Sequence, residues 1–532
     1  MPLACKTEKI EIKPAHNHKE SADRDRYDSY HPCTTISAYE SKRWHSKYHH
    51  LISQNLGSLM ILPVTGSTQA EAMCFFEDIS IKHLNEYRPC ESWRKTLMLF
   101  SQTVPSVRHA ATALAMIHRK YLNRHSNDMV YEPYFLKDQL LDKTSLLHYN
   151  RAIQLLLNPE SGDGAEITAI TLLVSYLFTC FDHLVGDDVQ AVKHLRGGVE
   201  LSRSIDNSTM YSYTYHDAQP SGFHAIIGQV TKQIRRLDMQ AGMFLVDWTP
   251  ANIQEPFTSH LTLFHSTFWS LDQAADHLQI LVSQVMWLRN TEQQSAPTTT
   301  MPPLPSSLKD MVLGQLETWS SLFEKLLRGN RSESVFETDR LISLLRLQHT
   351  IAWILLSSHG PGGEMDYDNF LPQFQQCVAL ASEVAAAHQR YAGSSRSTFT
   401  PEIGIIPILY IIGAKCRHPI VRHEVLGILR RQLIREASWD SITTARVVEQ
   451  IIEIEEGVGG EGQTVQCMEQ IPIWQRIEAL SFTHVPRGQS AARLDIEYAF
   501  CGREGTHIES LAIERIESLT YHVKYSMTDS RL

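Results

Sequence analysis

The sequence contains no C-x-x-C pair. Its nine cysteines are Cys5, Cys33, Cys74, Cys90, Cys180, Cys377, Cys416, Cys467 and Cys501, scattered and odd in number, which excludes a disulfide scaffold and a compact zinc site. They read as reduced thiols, mostly buried as small apolar residues. No apolar run approaches the roughly 20 residues that span a bilayer. The first residues, MPLACKTEKIEIKPAHNHKE, lack the apolar core of a secretory signal. The expectation is a soluble, intracellular chain, in which the glycosylation-like triplets at Asn207 and Asn330 carry no meaning. Basic residues are not in excess: 49 Lys and Arg stand against 59 Asp and Glu, a formal net charge of −10 over 532 residues. A phosphate backbone repels such a chain, so any DNA contact must be local or borrowed from a partner. No nucleophile elbow, H-E-x-x-H or phosphate-binding loop is present. No residue is nominated as catalytic, cofactor-binding, metal-ligating or DNA-contacting, no cofactor is expected, and no enzyme signal arises.

Three motifs invite chemistry and lose it in context. GVGGEG, Gly457 to Gly462, fits G-x-G-x-x-G, but a dinucleotide site needs that turn after a strand and before a helix. Here it follows RVVEQIIEIEE and reads as a helix stop. His16, His18, His31, Cys33, His45, His49 and His50 lie at irregular spacings in a polar segment, unlike the tight ligand pairs of structural zinc. Glu453, Glu455 and Glu456 read as solvated residues at a helix end. The basic stretch KCRHPIVRHEVLGILRRQLIREASWDS, Lys415 to Ser441, needs more care. Val421, Val425, Ile428 and Leu429 share one face, while Arg422, Arg430, Arg431 and Arg435 spread around the circumference. A DNA-reading helix puts its arginines on a shared face. The dispersed pattern fits a packed helix whose arginines reach solvent, carboxylates or helix ends at several edges.

Periodicity organises the rest. Residues 1–60 form a polar arm expected to be disordered. Helical periodicity fills 61–288, with a start at Ser67, a break at Pro105, a short helix capped by threonine and ended at Asn158-Pro159, and an almost wholly apolar helix in AEITAITLLVSYLFTCFDHLVGD that should be central. Residues 289–307 form a Pro/Thr-rich linker. Helices return over 308–460, including 404–416, 419–435 and 441–456. The C-terminal extension, 461–532, carries two alternating segments, ARLDIEYAF and LTYHVKYSM, that read as short strands.

Four stretches together resemble the regulatory region of the fungal zinc-cluster transcription factors: WRKTLMLFSQTVPSVRHAATALAMIH (93–118), LLHYNRAIQLL (146–156), LLVSYLFTCFDHLVGDDVQAVKHLRGGVEL (172–201) and IPILYIIGAKCRHPIVRHEVLGILRRQLIREASWDS (406–441). The resemblance covers about 65–460 and implies an all-helical regulatory body that follows a six-cysteine zinc module in the typical member. Only Cys5 and Cys33 precede Cys74, so none of that module's ligands falls on a position here. Either the protein works without its own DNA reader or its true start lies upstream. Within the matched stretches Gly197-Gly198 marks a close helix approach, Pro419 opens a helix, and Trp439 anchors packing between helices.

The fold expected is all-α, an array of antiparallel helix pairs with a disordered N-terminal arm and a small β element near the C-terminus. The resemblance implies a nuclear transcription regulator of a metabolic or secondary-metabolite gene set, acting through protein partners of the transcription machinery or a DNA-binding relative, with direct DNA binding not expected, no membrane association and an open oligomeric state. The rival readings are a helical interaction scaffold unrelated to transcription, and a small-molecule sensor or enzyme with a pocket among the helices.

Overall fold

A computed structural model describes residues 62, 66–127, 141–158, 164–204, 222–243, 248–250, 267–294, 306–329, 336–358, 363–392, 397–457, 465–485, 493–502, 505–512 and 525–528. The polar arm expected over 1–60, including the histidine-rich cluster, lies outside the described residues, as do 458–462 of the glycine-rich turn and 295–305 of the proposed linker.

The first helix, α1 (Ser67–Phe75), runs through a π-helical turn (Phe76–Ser80) into α2 (Ile81–Leu84). α3 (Glu91–Thr103) and α4 (Pro105–Asn127) meet at the expected proline break. Arg108 closes that corner: it donates to the carbonyls of Ser101 (3.2 Å), Gln102 (2.9 Å) and Leu62 (2.9 Å), and so satisfies carbonyls that a helix end leaves without partners. The apolar face read from the sequence, Val107, Ala110, Ala111, Leu114, Ile117 and Tyr121, is buried throughout. α5 (Lys143–Leu157) is capped by Asp142, whose side chain accepts from the Ser145 amide at 2.6 Å. A threonine cap was expected there; the carboxylate is the stronger acceptor at a positive helix end.

Contrary to the expectation that no apolar run approaches spanning length, α6 (Gly164–Val185) has the length and hydropathy to cross a membrane by composition alone. In the structure it is a core helix: residues from Leu172 to Val185 are almost continuously buried against α4, α7 (Asp188–Ser204) and α8 (Phe223–Ala241). Of the paired glycines only Gly198 marks a close approach. A Cβ there would meet Ile234 Cδ1 at 3.0 Å and Ser175 Oγ at 3.1 Å, whereas Gly197 faces open space.

α9 (Leu271–Gln294) continues into the stretch read as linker, and α10 begins at Ser306 and ends at Gly329. α11 (Phe336–Ser357), a 3-10 segment (Gly363–Phe370) and α12 (Leu371–Ala392) follow. Next come α13 (Ile406–Lys415), α14 (Pro419–Arg431) and α15 (Ser441–Glu456). α14 stops at Arg431, short of the expected 435, because Ile434–Glu436 leaves the helix to form strand β2. β2 pairs in parallel with β1 (Thr398–Thr400) and antiparallel with β3 (Trp439–Asp440).

The C-terminal β element is larger than the two strands expected. β4 (Ile477–Val485), β5 (Arg493–Phe500), β6 (His507–Ala512) and β7 (Tyr525–Thr528) form an antiparallel sheet in the order β6-β5-β4-β7. β5 coincides with ARLDIEYAF, and β7 is the described end of LTYHVKYSM. Phe482 of β4 meets Tyr410 of α13 and Trp439 edge-on, at ring-centroid distances of 6.1 and 6.5 Å. The described body is therefore predominantly helical with small sheets, and the basic stretch 415–441 lies where helices and C-terminal sheet meet.

Candidate functional site

The chain leaves α13 at Lys415, turns through Cys416–His418 and re-enters a helix at Pro419, whose missing amide hydrogen costs nothing at a first helical position. That corner turns Arg417 inward, where it has no exposure. Its Nη1 donates to Glu364 Oε2 at 2.6 Å and its Nη2 to Glu455 Oε1 at 3.0 Å and to the Ile477 carbonyl at 3.0 Å. Lys415 Nζ reaches the other Glu364 oxygen at 2.5 Å and the Glu478 carbonyl at 3.1 Å. Arg422, equally buried, donates to Glu455 Oε2 and to the Gly413 carbonyl at 3.2 Å. Glu455 also accepts from the Ile477 amide at 2.7 Å. Beside them Arg476 grips Asp368 with two nitrogens, at 2.8 and 2.7 Å.

Four cations (Lys415, Arg417, Arg422, Arg476) thus face four carboxylates (Glu364, Asp368, Glu455, Glu456). Charges are tolerated at such burial only when each is paired and hydrogen-bonded. Burial alone would raise the Glu455 carboxyl, but Arg417 and Arg422 outweigh it and hold it at about 2. Burial would lower Arg417, and Glu455 and Glu364 push it up instead. An acid held ionised this firmly has no proton to give near neutrality. The cluster is a cross-link between α13, α14, α15, the 3-10 segment and β4.

The remaining arginines of the stretch separate. Arg430 pairs with Glu449 at 2.6 Å on a half-exposed surface. Arg431 donates to Ser382 Oγ at 3.3 Å, and Arg435 to the His183 carbonyl at 3.0 Å. No shared face gathers them. Glu455, read as solvated, is fully buried; Glu456 is partly buried and Glu453 exposed, so that reading fails for the middle residue.

A second buried carboxylate organises the start of α13. Glu436 accepts from the amides of Gly404 (2.8 Å), Ile405 (2.9 Å) and Ile406 (3.1 Å) and from the Tyr87 hydroxyl. Burial pushes this carboxyl up, and the four donors pull it back only in part. Tyr87 crosses Gly404 so closely that a Cβ there would lie 2.0 Å from its ring. Sequence reasoning singled out neither residue.

One constellation has the residue types of a hydrolase. Ser438 Oγ donates to Asp188 Oδ1 at 2.5 Å, and His183 Nδ1 stands 3.3 Å from Ser438 and 3.4 Å from Asp188. Serine and carboxylate face the same ring nitrogen, whereas a relay needs them on opposite ones. Among the described residues no group of three or more His, Cys, Asp or Glu side chains could hold a metal.

No family model matches the chain, and no solved structure matches it. A curated protein does: the aspercryptin biosynthesis cluster-specific transcription regulator atnN of Emericella nidulans is 37% identical over 503 residues, an alignment covering 74% of this chain and 77% of the relative. The chain belongs to this family of cluster-specific transcription regulators. In a member of that family, the ionic junction and the Glu436 cap read as framework. Both tie together segments far apart in the chain, and the charges of the junction face one another, Arg422 Nη1 and Glu456 Oε1 meeting at 3.5 Å without a hydrogen bond.

Proposed function

We propose that the protein is a nuclear transcription regulator of a biosynthetic gene cluster, of the zinc-cluster kind, acting through protein contacts of its helical body and relying on a DNA-binding partner to read sequence. The observation that carries the reading is the 37% identity spread over 74% of the chain and 77% of a cluster-specific regulator. Similarity of that extent involves the body as a whole and not one amphipathic helix. One feature supports the dependence on a partner: the arginines of the most basic stretch are spent on buried carboxylates or scattered over separate partners.

Deleting the gene and measuring transcripts genome-wide tests the role: coordinated loss across one contiguous biosynthetic cluster is expected, and an unchanged transcriptome overturns it. Nuclear exclusion of a tagged protein under inducing conditions overturns the location. A salt-sensitive, sequence-selective gel shift by the purified chain alone overturns the reliance on a partner.

A further inference from the structure

α5 packs one side against α4 and leaves the other bare. At roughly 100° per residue, Leu146, Leu147 and Leu157 fall within about a third of the circumference, opposite the buried Ser145 and Ala152. Leu147 is 67% exposed and Leu157 74%. Ten residues at about 1.5 Å each set the two leucines roughly 15 Å apart, a span that a partner helix covers in about three turns. Large apolar side chains exposed together as one patch mark an interaction surface, whereas singly scattered ones do not.

The charges on the same face all have one sign. The helix, KTSLLHYNRAIQLLL, contains no Asp or Glu. Lys143 and Arg151 are both exposed, and among the described residues neither has a carboxylate partner; Arg151 donates only to Gln154, at 3.2 Å. This is a cationic and apolar strip on a chain whose formal charge is −10.

We propose that this face of α5 docks an acidic amphipathic helix of a partner protein, its apolar side chains seated on Leu146, Leu147 and Leu157 and its carboxylates paired with Lys143 and Arg151. A second copy of the chain fits less well. Antiparallel pairing about the middle of α5 sets Arg151 beside its own copy, and like charges at that distance repel. Duplex DNA fits less well too, because it would leave the three leucines against phosphate. The inference goes beyond the regulatory role, which leaves the partner's chemistry open, and its test reads binding in vitro, so either can fail alone.

The probe is a fluorescein-labelled synthetic helix as long as α5, with leucines on one face and glutamates flanking them, titrated with the purified full chain and followed by anisotropy. Saturable, salt-weakened binding is expected. The doubly substituted Leu147→Asp/Leu157→Asp and Lys143→Glu/Arg151→Glu chains should each bind about tenfold more weakly or worse, with unchanged circular dichroism, since all four side chains are exposed. A matched peptide with lysine in place of glutamate should not bind. The proposal is overturned by absence of saturable binding, by equal binding of both variants, or by equal binding of the lysine peptide. A dimer in sedimentation that Leu147→Asp dissolves would give the face to a second copy, and a duplex-DNA complex lost on Arg151→Glu would give it to nucleic acid; either result also overturns it.

Discussion

Glu455 is bonded by Arg417 and Arg422 at once, with no exposure on any of the three. Its removal therefore costs more than the bonds themselves, because two buried guanidinium charges lose a shared counter-charge and are left to Glu364 and Glu456 alone. Glu455→Gln should destabilise the chain by on the order of 3–5 kcal/mol, read as a fall in the urea midpoint. Arg430→Gln, which breaks a half-exposed pair with Glu449, should cost under about 1 kcal/mol. Gly404→Ala drives a methyl into the Tyr87 ring; a loss of about 1–3 kcal/mol is expected for such overpacking, and Tyr87→Ala in the same chain should remove most of that added steric penalty. The pH response has two limbs. Burial, with His148 second, lowers His109 from 6.5 to about 4. The unfolded chain then takes up a proton between those values that the folded chain refuses, so stability is intact above 6.5 and falls as pH drops toward 4. Glu455, ordinarily near 4.5 and held at about 2, contributes stability that is complete above 4.5 and lost from there down to 2. Burial lowers His118, His148, His194 and His349 as well, so His109→Gln should make the upper limb shallower without abolishing it and leave the Glu455 limb unchanged, seen in melting temperatures taken from pH 7 to 2.

At the scale of elements, α15 starts where it does because Asp440 accepts from the amides of Ile442 (3.1 Å) and Thr443 (2.9 Å). Asp440→Ala should cost about 1–2 kcal/mol and Asp440→Asn much less, measured by thermal unfolding. Helix breaks and starts of this kind were legible: Pro105 and Pro419 separate helices as their geometry requires. A helix-wheel count carries part of the junction as well. At roughly 100° per residue Arg422 lies about 20° from Leu429, inside the apolar arc of α14, while Arg430 and Arg431 lie outside it. Glu455 falls among Val447, Val448, Ile451 and Ile454 in the same way. The wheel marks both as buried charges, but it does not say that they face each other. The strands β1, β2 and β3 were not legible, since three residues or fewer are too short to show a period of two.

At the scale of the molecule, the ionic junction joins the helical body to the C-terminal sheet. Ile477 supplies both an amide to Glu455 and a carbonyl to Arg417, Arg476 grips Asp368, and Phe482 reaches Tyr410 and Trp439. A chain ending at residue 457 would keep α13, α14 and α15 yet open their buried charges to water on one side. Such a truncation should express as insoluble or protease-sensitive protein. Soluble protein with native-like melting would show that the sheet is an appendage and not a part of the body.

The sequence by itself determined the helical class, the breaks at proline and the apolar course of α6, because each depends on residues within a few turns of one another or on plain composition. The tertiary structure decided which charges are spent. Arg417 and Glu455 are 38 residues apart, and Tyr87 and Glu436 are 349. Whether an arginine reads a ligand or neutralises a carboxylate depends on the partner that folding brings to it, and local periodicity carries no information about a side chain that far along the chain.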